Sequence, residues 1–218
     1  MPEFHGFPLK AMTFFERLAA DNSKAFWTDH RTEYDDHIRD PMRALSDAVC
    51  DEFGPLHLFR PNRDVRFSKD KTPYKTHCGA VTEGEGGESF YVQIAADGLF
   101  VGAGYYHLWP DQLTRYREAV AADTGEDLET AIGKVRAAGL TIGGEALKSA
   151  PRGYAKDHPR IALLRHKGIY AHRSFGSPKW IGTPEALERI TNAWRAAAPL
   201  NGWLNRHVGP TTMPPDAA

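Results

Sequence analysis

SFYVQIAADGLFVGA, residues 89–103, decides the fold. Ser89 to Ala95 and Leu99 to Ala103 read as strands, and they flank Asp97-Gly98, a dipeptide that tolerates the positive φ of a two-residue hairpin turn. Strands joined this tightly run antiparallel, because a parallel crossover needs a dozen residues or more.

Outward from the hairpin, the flanks are helical. Before it, Met12, Phe15 and Leu18, with Phe14 beside them, recur at helical spacing, and Asp21-Asn22-Ser23 breaks the pattern with Ser23 as the next N-cap. Phe26, Trp27, His30, Tyr34 and Ile38 follow along one face. Pro41 begins a further helix, with Met42, Leu45 and Val49 inward and Phe53-Gly54 as the stop. Strand signals follow at His57 to Phe59 and at Val65 to Phe67. After the hairpin, Pro110 opens a helix marked by Leu113, Tyr116 and Val120, and Leu128, Ile132 and Val135 mark another that Gly139 ends. A Gly-rich stretch from Leu140 to Gly153, a short helix at Ile161 to Leu164, a strand from Gly168 to His172 and a last helix from Thr183-Pro184-Glu185 complete the chain. Helices, then strands, then helices predict α+β, with a mainly antiparallel sheet flanked by N-terminal and C-terminal helices. A single domain over residues 1–208 is expected, with 209–218 a frayed tail.

Composition bounds the function. At 218 residues, 41% hydrophobic and 25% charged, the chain falls in the globular range. Its first residues, MPEFHGFPLK, lack a basic start followed by an apolar stretch, and no segment approaches the roughly 20 apolar residues that span a bilayer. Cys50 and Cys78 are the only thiols, too few for a disulfide framework. The expected location is cytoplasmic, with no membrane partner.

Charge is uneven beneath a formal net of -1. Residues 60–77 carry six cations against Asp64 and Asp70, an excess of four positive charges. Residues 152–179 carry seven against Asp157 alone, an excess of six, so the remaining residues sum to -11. The denser chemistry is in RDVRFSKDKTPYKTH, residues 63–77. Guanidinium groups present paired donors that match carboxylate or phosphate, and lysines add point charge. Arg63, Arg66, Lys69, Lys71, Tyr74, Lys75 and His77 are therefore candidate anion-binding residues, with Arg152, His158 and Arg165 joining them if the two basic stretches converge. On an extended segment Arg63 and Arg66 point to opposite faces, which favours Arg66, Lys71 and Lys75. The competing reading is a salt-bridged connector, with Asp64 and Asp70 pairing their neighbours and Tyr74 packed over the loop.

The central run, the hairpin YVQIAADGLFVGAG, the segment GGEALKSAPRGYAKDHPR and the segment APLNGWLNRHVG together resemble the family catalogued as domain of unknown function number 2461 over nearly the whole chain. Trp180-Ile181-Gly182 has no place in that pattern. The resemblance implies one fold across the chain and brings no activity, cofactor or catalytic residue.

Three functions fit the residues: a binding protein or enzyme for a small phosphate- or carboxylate-bearing molecule, with His77 or His158 as acid or base; a nucleic-acid binder using Tyr74, Tyr105 or Tyr106 to stack, against which the pI of about 6.8 counts; and a protein-interaction module with a basic face. No Cys-x-x-Cys or His-Glu-x-x-His occurs, so no metal site is expected, and no cofactor is named by the residues. Gly84-Glu85-Gly86-Gly87 reads as a loop, not a phosphate-binding turn.

Overall fold

The computed structural model describes residues 3–66, 69–82 and 87–213. Strands β1 (Leu56–Leu58), β2 (His77–Thr82), β3 (Ser89–Ala95), β4 (Gly98–Tyr105), β5 (Thr141–Gly143) and β6 (Ile169–Gly176) form a six-stranded antiparallel sheet in the order β1-β2-β3-β4-β6-β5. With helices before, between and after the strands, the chain is α+β, as the order of elements predicts. The β3–β4 turn sits one residue earlier than expected, at Ala96-Asp97. Neither residue has positive φ; Gly98, the first residue of β4, supplies it instead, at +105°. A Cβ on Gly98 would lie 1.8 Å from the Gly176 carbonyl oxygen, which leaves glycine as the residue that fits.

Two compact units divide the chain. The first comprises Met1–Thr82, Tyr91–Val101 and Ser174–Asn192. Its helices α1 (Leu9–Ala20), α2 (Lys24–Asp29), α3 (Arg31–Tyr34) and α4 (Asp40–Phe53) bury Phe14, Phe15, Leu18, Ile38, Met42 and Leu45. Phe14 is the hub, its ring within 6.2 Å of the rings of Phe15, Phe26, Trp27 and Tyr34. Ser23 caps α2 by accepting from Phe26 N–H at 3.1 Å. Pro41 stands in the first turn of α4, as expected, although the helix is already under way before it. The chain stays helical from Arg31 to Phe53, passing through a π-helical turn at Asp35–Arg39. Proline cannot donate to the carbonyl four residues back and crowds it, and a widened turn just ahead of Pro41 accommodates both effects.

The strand expected at Val65 to Phe67 does not form at Val65-Arg66; Phe67 and Ser68 lie outside the described residues. Side chains satisfy this backbone instead: the Arg66 N–H donates to Asp64 Oδ1 at 3.2 Å, and the Val65 carbonyl accepts from Lys71 Nζ at 2.8 Å. The ladder strand is β2, which the sequence pattern does not announce because Cys78-Gly79-Ala80 is small on both faces. It pairs with β1 and β3, with Gly79 opposite Gln93 and Val81 opposite both Tyr91 and His57. Cys78, Ala80, Val92 and Ile94 form the buried face, while His77, Val81, Tyr91 and Gln93 on the other face are partly exposed.

The second unit comprises Glu83–Phe90, Gly102–Arg173 and Ala193–Ala218. It holds α5 (Pro110–Ala121), α6 (Thr124–Ala137), α7 (Ile161–Leu164) and, beyond α8 (Glu185–Ala196), the helix α9 (Ala198–His207). The strand β5 and the helix α9 go beyond the sequence reading; Pro199 in the first turn of α9 is the start signal that was available. Trp203 Nε1 donates to the Thr124 carbonyl at 2.8 Å, and the hydroxyl of fully buried Tyr116 donates to the Leu163 carbonyl at 3.0 Å. The described part of the expected tail is tied to α5: Thr211 Oγ1 and Thr212 N–H each donate to Asp111 at 2.8 Å. Residues 214–218 lie outside the described residues.

Candidate anion site

The basic run 60–77 belongs to the first unit and forms a loop on a narrow neck. Arg63 N–H donates to the Pro73 carbonyl and Lys75 N–H to the Pro61 carbonyl, each at 2.8 Å, with Asn62 and Tyr74 facing each other between them. Two anchors fix this neck. Tyr74, 6% exposed, stacks on Trp27 with centroids 4.4 Å apart and 11° between planes. Asn22 grips the Tyr74 backbone from both sides, its Nδ2 donating to the carbonyl at 3.1 Å and its Oδ1 accepting from the N–H at 3.0 Å. The Tyr74 ring is thus packing that sets the neck in place, and Asn22 supports the loop besides ending a helical pattern.

Antiparallel pairing at the neck decides which cations meet. Asn62 and Tyr74 point one way, so Arg63 and Lys75 point the other, and alternation along the chain puts Lys75, His77 and Gly79 on that same face. Arg60 acts on Lys75 through its charge. The Lys75 ammonium lies 5.2 Å from the centroid of the Phe59 ring. Burial, then the Arg60 and Arg63 guanidinium groups, hold its pKa below the ordinary lysine value. Burial, then Lys75 and Arg63, likewise hold the His77 imidazole below its ordinary value. Asp97 acts in the opposite direction but does not offset them, so His77 is neutral at neutral pH and able to accept a proton if an anion arrives.

The rest of the loop is matched within itself. Arg66 forms a two-pronged pair with Asp64, at 3.0 Å from Nε and 2.7 Å from Nη2. Arg63 pairs with Asp70 and donates to Thr72 Oγ1 at 3.0 Å. Hydrogen bonds from Arg66 and from Thr72 hold the Asp64 and Asp70 carboxyls, respectively, below the usual carboxylate range. Lys71 closes on the Val65 carbonyl, and Lys69 is exposed. Behind the site, Cys78 and Tyr34 are buried neighbours; burial pushes the Cys78 thiol up to about 11 and raises the Tyr34 phenol well above its usual value. Both stay protonated at neutral pH.

The second basic stretch lies in the second unit as far as Arg173, and there Arg160, Lys167 and His158 serve the fold; its last cation, Lys179, belongs to the first unit. Arg160 donates to the carbonyls of Val120, Ala121 and Ala122 at the end of α5. His158 Nδ1 accepts from the Arg160 N–H at 3.0 Å, and Lys167 pairs with Glu145 at 2.6 Å. Arg152 is exposed, and Arg165 Nε is buried with no hydrogen-bond partner among the described residues. Tyr105 is fully buried and donates to Asn205 Oδ1 at 2.9 Å, whereas Tyr106 is 76% exposed. Cys50 and Cys78 are both free thiols. Among the described residues no three His, Cys, Asp or Glu side chains gather where they could hold a metal ion, and no helix is long and apolar enough to cross a membrane.

A family model described as "Conserved hypothetical protein (DUF2461)" matches residues 10–203, nearly the whole chain and all of the loop and sheet just described. The chain belongs to this family. No curated protein matches it. Among solved structures, an uncharacterized protein from Methanothermobacter thermautotrophicus is similar, with 9% identity and a TM-score of 0.44 over 78% of this chain and 99% of that one.

Proposed function

We propose that this member of the family binds a small phosphate- or carboxylate-bearing molecule at the face formed by Arg60, Arg63, Lys75 and His77. The observation that carries the reading is Lys75. Its ammonium lies 5.2 Å from the Phe59 ring centroid and feels the charges of Arg60 and Arg63, and among the described residues it has no carboxylate in ion-pair range. Like charges gathered on one face cost free energy in the empty protein, and an anion placed among them removes that cost. Neutral His77 adds a group that can take up a proton as the anion binds or serve as a base towards it. The loop tip, where Arg66 and Asp64 satisfy each other, contributes less.

Thermal unfolding in sulfate and in phosphate, compared with chloride at equal ionic strength, tests this, because a ligand that binds only the folded state raises its apparent stability. The expected result is a rise in Tm for the parent that Lys75→Met abolishes and Arg43→Ala, a control that removes an exposed cation of α4 elsewhere, leaves in place. Equal rises in the parent and Lys75→Met would refute the reading.

A further inference from the structure

The partly exposed face of the first unit's sheet carries a row of aromatic rings that leads away from the cations. Phe59 follows β1, its N–H donating to the Gly79 carbonyl at 3.0 Å, and its ring centroid lies 6.4 Å from that of Tyr91 on β3. Tyr91 in turn lies 6.1 Å from Phe100 on β4. The row can cross β2 because Gly79 has no side chain: a Cβ there would come within 2.5 Å of the Tyr91 hydroxyl. Phe59 is 38% exposed, and Tyr91 and Phe100 are partly exposed. Lys75 links the two features, since its ammonium lies over the Phe59 ring at the end where Arg60 and Arg63 gather. Along the row Val81 and Gln93 are uncharged, with His57 opposite Val81, while at the cation end Ala95 faces His77 and the Asp97 carboxylate that follows it acts on the imidazole.

A surface charged at one end and aromatic along its length matches a ligand built the same way. We propose that the anion bound here is the phosphate of a small planar heteroaromatic compound, a nucleoside monophosphate being the simplest kind, with its ring system packed against the Tyr91 and Phe100 end of the row. The inference rests on the anion-site reading above and adds to it the class of ligand. Aromatic faces attract the flat, electron-poor ring systems of bases by stacking, which tolerates differences between bases. A single strand of nucleic acid fits less well, because each further nucleotide brings another phosphate and the row offers cations at one end alone.

Calorimetric titration of the full chain with inorganic phosphate, ribose 5-phosphate, adenosine 5′-monophosphate and a nine-nucleotide oligoadenylate separates the possibilities. Adenosine 5′-monophosphate is expected to bind about tenfold more tightly than ribose 5-phosphate, the gain from one stacked base. Phe100→Leu, away from the cations, should erase most of that ratio while leaving ribose 5-phosphate affinity within about twofold, and Phe59→Leu should weaken both ligands, because the Lys75 ammonium lies over its ring. Equal binding of the nucleotide and ribose 5-phosphate would overturn this inference and leave the anion site standing. Binding of none of the phosphate compounds would overturn the anion site, and this inference with it. Oligoadenylate binding more tightly than its nine nucleotides account for statistically would assign the row to a strand, against the proposal.

Discussion

Burial, then Arg60 and Arg63, depress the Lys75 pKa, and burial, then Lys75 and Arg63, depress that of His77; the pH dependence follows from the sign of those shifts. A base whose folded pKa lies below its unfolded value is penalised by folding when charged, so stability rises as pH climbs from the folded pKa towards the ordinary one, 6.5 for the imidazole. A bound anion reverses the preference, and its affinity should grow as His77 gains a proton. Sulfate, which keeps its charge across this range, is expected to bind about three- to tenfold more tightly near pH 5 than near pH 7. His77→Asn should flatten that profile; an unchanged slope would remove His77 from the site. Cys78 gives a sharper test of burial. With its thiol pushed up to about 11 and its side chain enclosed, only exposed Cys50 should react with a thiol reagent in the native state, and both should react after unfolding. Two fast-reacting thiols in the native protein would mean that the Tyr34–Cys78 layer is open.

The neck of the loop shows where reading the sequence succeeds and where it stops. The hairpin is legible because local chemistry decides it: alternating strand residues and a glycine suffice, and even the one-residue shift of the turn reflects the same need for positive φ at Gly98. The helical faces of α1, α5 and α6 are legible for the same reason. Strand β2 is not, because its small residues derive their order from partners in β1 and β3, which are distant in sequence. The same blindness affects the site. Read as one strand from Val65, the run puts Arg63 and Arg66 on opposite faces and says nothing of Arg60. Read through the Asn62–Tyr74 pairing, it puts Arg63, Lys75 and His77 on one face. Asn22 and Trp27, which fix that pairing, are 52 and 47 residues from Tyr74. Asn22→Ala, losing two hydrogen bonds to the neck, should cost about 1–2 kcal/mol in chemical denaturation and weaken sulfate binding. Tyr74→Ala, losing a buried stacked ring, should cost about 3 kcal/mol or more. Loss of stability without loss of sulfate affinity in Asn22→Ala would show that the neck does not position the cations.

Across the whole molecule, the two units are interleaved in sequence. The chain passes between them five times, and three of those passages, at 90/91, 101/102 and 173/174, fall inside strands β3, β4 and β6. Neither unit can be excised as a continuous stretch, so unfolding is expected as a single transition with coincident loss of helix and aromatic signals; two separated transitions would contradict this. Charge divides differently from what the totals imply. The second basic stretch is larger by count, yet Arg160 and Lys167 serve carbonyls and a carboxylate, whereas the smaller excess in the first unit includes Lys75 among like charges. The most direct test is a sulfate titration of the isotopically labelled protein followed by backbone amide resonances. Saturable shifts are expected at residues 60–63 and 75–79 in the parent, absent in Lys75→Met, with residues 152–167 unmoved. Shifts confined to 152–167, or equal shifts in the parent and Lys75→Met, would contradict the assignment of the anion site.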